Sequence, residues 1–135
     1  MSKVVVLPGG GTVRGRALTE APPSEADFLL ALASGPLPPW PHRRVRWPDF
    51  WLPLESGQAR EALREALARA RAGQLVEVGC RGGLGRTGTA IAALAVLEGM
   101  TPASAVRWVR AAYDPRAVET PWQAWWLRSL APAPV

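Results

Sequence analysis

At 135 residues and 14.5 kDa the chain has the size of one ordinary domain and is read as a single domain over 1–135. Apolar residues make up 48%, which excludes a disordered chain. No run approaches the ~18 apolar residues of a membrane-spanning helix, and the start carries no signal-peptide core, so a cytoplasmic protein with no membrane partner is expected. The net charge is +5, carried by 15 Arg against one Lys, a usage expected of a GC-rich bacterial genome; it favours acidic partners such as phosphates or nucleic acid without choosing between them.

Lys3 to Leu7 is β-branched and apolar, Pro8 to Gly11 is a turn, and Thr12 to Leu18 returns, giving an N-terminal hairpin over about 3–18. A polar, Pro-containing stretch leads to the short apolar run Phe28 to Ala33, and residues 34–41 form a rigid Pro-rich connection. Val45 to Trp47 reads as a short strand closed by Pro48. From Ser56, the residues Ala59, Ala62, Leu63, Ala66, Leu67 and Ala70 repeat at helical spacing on one face, and Gly73 supplies the stop.

Leu75 to Val78 is the next strand. The glycine-rich run 79–88 follows, and an all-apolar helix, Ala90 to Leu97, begins within that run. Gly99 stops it, Thr101-Pro102 opens a helix to about Tyr113, and a last helix starts near Thr120-Pro121 with Trp122, Trp125 and Trp126, which are expected to pack in the core. The order describes an α/β protein with a small central mixed sheet flanked by helices.

The chemistry concentrates at Gly79-Cys80-Arg81-Gly82-Gly83-Leu84-Gly85-Arg86-Thr87-Gly88. A glycine-rich loop between a strand and a helix N-terminus turns backbone N–H groups toward one point and cradles a tetrahedral anion, phosphate or sulfate. The same field favours the thiolate form, so Cys80 is the candidate nucleophile. Arg86 can grip two phosphate oxygens with its planar fork, and Thr87 can donate its hydroxyl to the sulfur. Loop residues Arg81, Gly82, Gly83, Leu84 and Gly85 complete the phosphate-binding set. A nucleotide-binding P-loop would need Gly in place of Cys80 and Lys in place of Arg86. With one cysteine and one histidine, His42, the common zinc clusters and any internal disulfide are excluded, and no metal or other cofactor is expected.

Cys80 followed by five residues and Arg86-Thr87-Gly88, with Gly83, Leu84 and Gly85 inside, resembles the signature loop of the cysteine-dependent protein tyrosine and dual-specificity phosphatases. Two further segments resemble that family in order. Trp47-Pro48-Asp49, 31 residues before the cysteine, is similar to the mobile acid loop (here 47–53), which makes Asp49 the implied general acid. Val118 to Gln123 is similar to the loop that places water for the second step. Two positions depart from the pattern. Gly79 stands where the family usually has His, and Glu119 stands where tyrosine-specific members have Gln. Glu119 is then either a base for water or a cap for the next helix, and Gln123 either serves the second step or lies on the surface of the last helix.

The resemblance implies phosphomonoester hydrolysis through a phosphocysteine, with a phosphorylated protein as the favoured substrate. An RNA 5′-triphosphatase, a phosphoinositide phosphatase and a non-catalytic phosphate-binding module remain as alternatives. Nucleic acid is not favoured, because no aromatics interleave with the basic run. The cluster Arg43, Arg44, Arg46 reads as a solvated basic face before it reads as a grip for acidic substrates.

Overall fold

The computed structural model describes residues 1–132. Its sheet has five strands: β1 (Ser2–Val6), β2 (Thr12–Ala17), β3 (Phe28–Ala31), β4 (His42–Arg44) and β5 (Val76–Cys80), in spatial order β1-β2-β5-β3-β4. β1 is antiparallel to β2, whereas β2, β5, β3 and β4 run parallel, so the sheet is mixed as expected. The helices are α1 (Ser56–Arg71), α2 (Gly85–Leu97), α3 (Pro102–Ala112) and the short α4 (Pro121–Trp126), which runs on into a 3₁₀ turn at Leu127–Leu130.

Residue alternation along the strands divides the sheet into two faces. Val13, Val76, Val78, Phe28 and Leu30 join the main core with the apolar stripe of α1 and with α2. Helix α2 is buried from Gly85 to Val96, which explains why it is apolar all round. Each fully buried Leu or Ile there stabilises by roughly 1.5–3 kcal/mol. The opposite face holds a small cluster of Leu18, Leu29 and Ala31 under Trp40 of the Pro-rich connection. Beside it Glu77, fully buried on β5, accepts from Arg14 Nη2 at 2.8 Å and Arg16 Nε at 2.7 Å on β2, and from Trp40 Nε1 at 3.2 Å.

Two strands lie elsewhere than their patterns indicate. The strand expected at Val45–Trp47 is instead His42–Arg44, because β3 is only four residues long and its parallel register pairs Leu29–Ala31 with His42–Arg44. β4 is a charged edge strand with no apolar alternation to announce it, a composition that also protects the edge from pairing with other chains. β5 runs two residues past Val78, so Gly79 and Cys80 belong to the strand rather than to the loop.

Candidate active site

Cys80 is the last residue of β5, and α2 opens five residues later, so the loop between them is short. Gly83 makes the turn at φ +74°, and a Cβ there would lie 2.6 Å from the backbone nitrogen of Ala17. Only glycine meets both conditions. Among the described residues, the first backbone N–H after Cys80 to find an acceptor is that of Gly88, which donates to Leu84 O at 2.7 Å. The N–H groups of residues 81–87 therefore remain as unspent donors at the positive end of α2, an arrangement suited to an anion.

Cys80 is only 3% exposed, and its Sγ accepts a hydrogen bond from Thr87 Oγ1 at 2.9 Å. Arg86 is 5% exposed, and its Nη1 donates to Trp47 O at 2.8 Å and to Leu32 O at 3.2 Å. These bonds fix one edge of the guanidinium to the acid loop and to the end of β3. Its buried Nε has no hydrogen-bond partner among the described residues and lies 3.4 Å from Asp49 Oδ1. Asp49 also accepts from Phe50 N at 3.0 Å. The structure thus joins Cys80 to Thr87 and Arg86 to Asp49 around the loop between β5 and α2. Arg81 and Asp49 line the same open cleft as Arg86, about 510 Å³ in volume.

Glu119 joins them. Its carboxylate lies so close to Gly85 that a Cβ there would fall inside it. Burial raises the pKa of Glu119, the nearby Asp49 charge raises it further, and Arg86 partly offsets both. Capping of α4 falls to other residues: Thr120 Oγ1 accepts from Gln123 N at 3.2 Å, and Gln123 Oε1 accepts from Glu119 N at 3.0 Å and Thr120 N at 3.3 Å. Gln123 is not on the surface; it is fully buried, and its Nε2 donates to Trp51 O at 3.3 Å. It ties the acid loop to the segment bearing Glu119.

The acid loop is held on its other side by tryptophans. Trp47 Nε1 donates to Trp51 O at 2.7 Å, and Trp122 Nε1 donates to Phe50 O at 2.5 Å while its ring leans on Trp51. Of the three tryptophans expected in the core, only Trp126 is buried; Trp122 is 41% and Trp125 63% exposed. Trp122 instead packs on the acid loop, against Trp51 and the carbonyl of Phe50. Each carboxylate is followed or preceded by a residue in the left-handed region, Phe50 at φ +58° after Asp49 and Val118 at φ +60° before Glu119. Such strain in non-glycine residues costs on the order of 1–2 kcal/mol and clusters at functional sites.

Tyr113 is the residue that motif reading misses. Its hydroxyl donates to Gly83 O at 2.5 Å from behind the loop, and burial raises its pKa, with the nearby Cys80 and Asp114 charges adding to the rise. The only sequence signal was a tyrosine at the end of an amphipathic helix. Gly79, where the resemblance calls for His, has no room for a side chain: a Cβ would lie 2.5 Å from Leu18 Cδ2 and 3.2 Å from Arg16 O. No group of three or more His, Cys, Asp or Glu side chains suited to a metal gathers among the described residues.

Residues 51–135 match the profile described as the Swiss Army Knife protein, DSP-PTPase phosphatase domain. In solved structures, the chain is similar to Tk-PTP crystallised in its active form, with 31% identity, a TM-score of 0.69 and 78% of each chain covered. It is also similar to PTPMT1, at 14% identity and TM-score 0.69 over 95% of this chain and 93% of that one. A third likeness is to the kinase associated phosphatase carrying a serine for its catalytic-site cysteine, at 15% identity and TM-score 0.66 over 77% and 67%. No curated protein sequence matches the chain. The chain belongs to the dual-specificity type of cysteine-based phosphatase family. The profile match begins two residues after Asp49, so the acid loop's aspartate stands outside it.

Proposed function

We propose that the protein hydrolyses phosphorylated proteins through a phosphocysteine at Cys80. The observation that carries this reading is a buried cysteine hydrogen-bonded by Thr87 on the same short loop as a buried arginine whose Nε has no hydrogen-bond partner among the described residues and faces Asp49. In the first step the Cys80 thiolate attacks phosphorus. The phosphate oxygens rest on Arg86 and on the N–H groups of Arg81, Gly82, Gly83, Leu84 and Gly85. The bond to the leaving oxygen breaks, and Asp49 delivers a proton to it. In the second step water attacks the phosphocysteine and the P–S bond breaks. The sulfur leaves as a thiolate stabilised by the Thr87 hydroxyl. Asp49 or Glu119 takes the water's proton, and Gln123 holds the loops that carry both carboxylates.

The test is hydrolysis of p-nitrophenyl phosphate in EDTA by the wild type and by Cys80→Ser and Arg86→Ala. Turnover in the wild type and its loss in both variants is expected. Turnover surviving in Cys80→Ser would overturn the mechanism, because the chain has no second thiol. A phosphoinositide is the second reading, favoured by the likeness to PTPMT1, which has been crystallised with PI(5)P.

A further inference from the structure

The basic run beside the acid loop is divided by strand geometry into two functions. In an extended segment successive side chains point to opposite sides. Arg43 and Val45 turn toward α1 and the core: Arg43 Nη1 lies 3.3 Å from Glu65 Oε1, its Nη2 lies 3.6 Å from Glu61 Oε2, and Val45 is buried. Arg44 and Arg46 turn the other way and line the cleft that contains Asp49, Arg81 and Arg86. Arg44 is steadied by one bond, Nη2 to Gly35 O at 2.7 Å. Among the described residues none of Arg44, Arg46 and Arg81 forms an ion pair, although Arg43, Arg69, Arg71 and Arg116 each do. Asp49 is the single acidic residue in the lining.

Four arginines around one carboxylate exceed what a single phosphate requires. Leu32, Ala33, Pro48 and Leu54 give the same cleft apolar walls. We propose, on top of the phosphatase reading above, that this cleft is a subsite for acidic side chains flanking the phosphorylated residue, with Arg44 and Arg46 as the specificity-determining pair. The substrate is then a phosphoprotein segment carrying Asp, Glu or a second phosphate next to the scissile one. The apolar walls accommodate the stems of those side chains and the peptide backbone between them. Exposed ion pairs are individually weak, so two of them supply a preference of about three- to thirty-fold, expressed mainly in KM. Salt must shrink it, because the pairs are open to solvent.

The experiment compares kcat/KM of the full chain on matched phosphotyrosine and phosphothreonine peptides whose flanks are acidic, neutral or lysine-rich. The expected ranking is acidic, neutral, basic, with about tenfold between the extremes at low ionic strength and a smaller gap in about 0.5 M salt. Arg46→Glu is expected to invert the ranking and Arg44→Ser to flatten it. Faster turnover of lysine-flanked peptides by Arg46→Glu than by the wild type also reports a folded variant. Equal rates on all three flanks, or a ranking that survives Arg46→Glu, overturns the proposal. So does a higher kcat/KM on phosphoinositide vesicles or on 5′-triphosphate RNA than on every peptide. p-Nitrophenyl phosphate, which has no flank, separates the two levels. A wild type inert toward it loses the phosphatase reading, whereas one that turns it over and ranks the peptides equally loses only the subsite.

Discussion

Arg86 Nε and Asp49 Oδ1 lie 3.4 Å apart, so the guanidinium proposed to hold a phosphate faces the carboxylate proposed to protonate its leaving group. An arriving dianion competes for that nitrogen and frees the aspartate to turn toward the ester oxygen. Asp49→Ala is therefore expected to slow phosphotyrosine far more than substrates whose leaving phenol departs unaided, since a general acid contributes ~10²–10⁴-fold. Steady-state rates across a series of aryl phosphates check this through the slope against leaving-group pKa. An equal loss on every member would mean that Asp49 only anchors Arg86.

Glu119 gives a pH signature with a defined sign. Its raised pKa means that the folded state prefers the protonated acid. That contribution is complete below the ordinary glutamate pKa and is lost as pH rises through the raised value. Glu119→Gln should consequently raise Tm at neutral pH and leave it unchanged in acid where both forms are neutral, a comparison made by thermal melts across pH. If Glu119 serves the second step, the same variant also shows a burst of p-nitrophenol followed by slow turnover, because the phosphocysteine then accumulates.

Much of this site is legible in the sequence because it is local. Cys80, Arg86 and Thr87 lie within one strand-loop-helix turn, so a short stretch of sequence holds all three. The apolar stripe of α1 and the cap at Thr101-Pro102 likewise depend only on neighbours in sequence. What stayed hidden depends on contacts between distant segments. β4 is recognisable only from its register with β3, and the burial of Gln123 follows from a bond to Trp51, 72 residues away. The exposed Trp122 at the start of α4 looks apolar in sequence, yet it is placed by Phe50 O on the acid loop.

Tyr113 reaches the loop through its hydrogen bond to Gly83 O. Tyr113→Phe removes the only donor to that carbonyl among the described residues while keeping the ring, which leaves a buried acceptor unpaired at about 1–3 kcal/mol. The expected outcome is a lowered Tm together with a higher inhibition constant for inorganic phosphate, as the loop loses its support from behind. A purely structural role would lower Tm and leave phosphate affinity untouched, so competition assays below the melting range decide the matter.

Gly79 stands where the resemblance calls for His, and its surroundings make that departure testable. The space that a side chain would need is taken by Leu18 Cδ2 and Arg16 O, so Gly79→Ala is an overpacking substitution expected to cost about 1–3 kcal/mol. Leu18 is itself buried and belongs to the small cluster on the far face of the sheet, and its truncation alone also destabilises, by opening a void. The two changes share one space, so their effects are expected not to add: Gly79→Ala with Leu18→Ala should be more stable than the sum of the single losses implies. Chemical denaturation of the four members of this cycle measures the coupling. Strict additivity would mean that the backbone around Cys80 moves to admit the new methyl group, and kcat would then fall in Gly79→Ala, because the shift displaces the sulfur from the Thr87 hydroxyl. A coupled pair with unchanged kcat places the strain on Leu18 and leaves the sulfur where Thr87 can reach it.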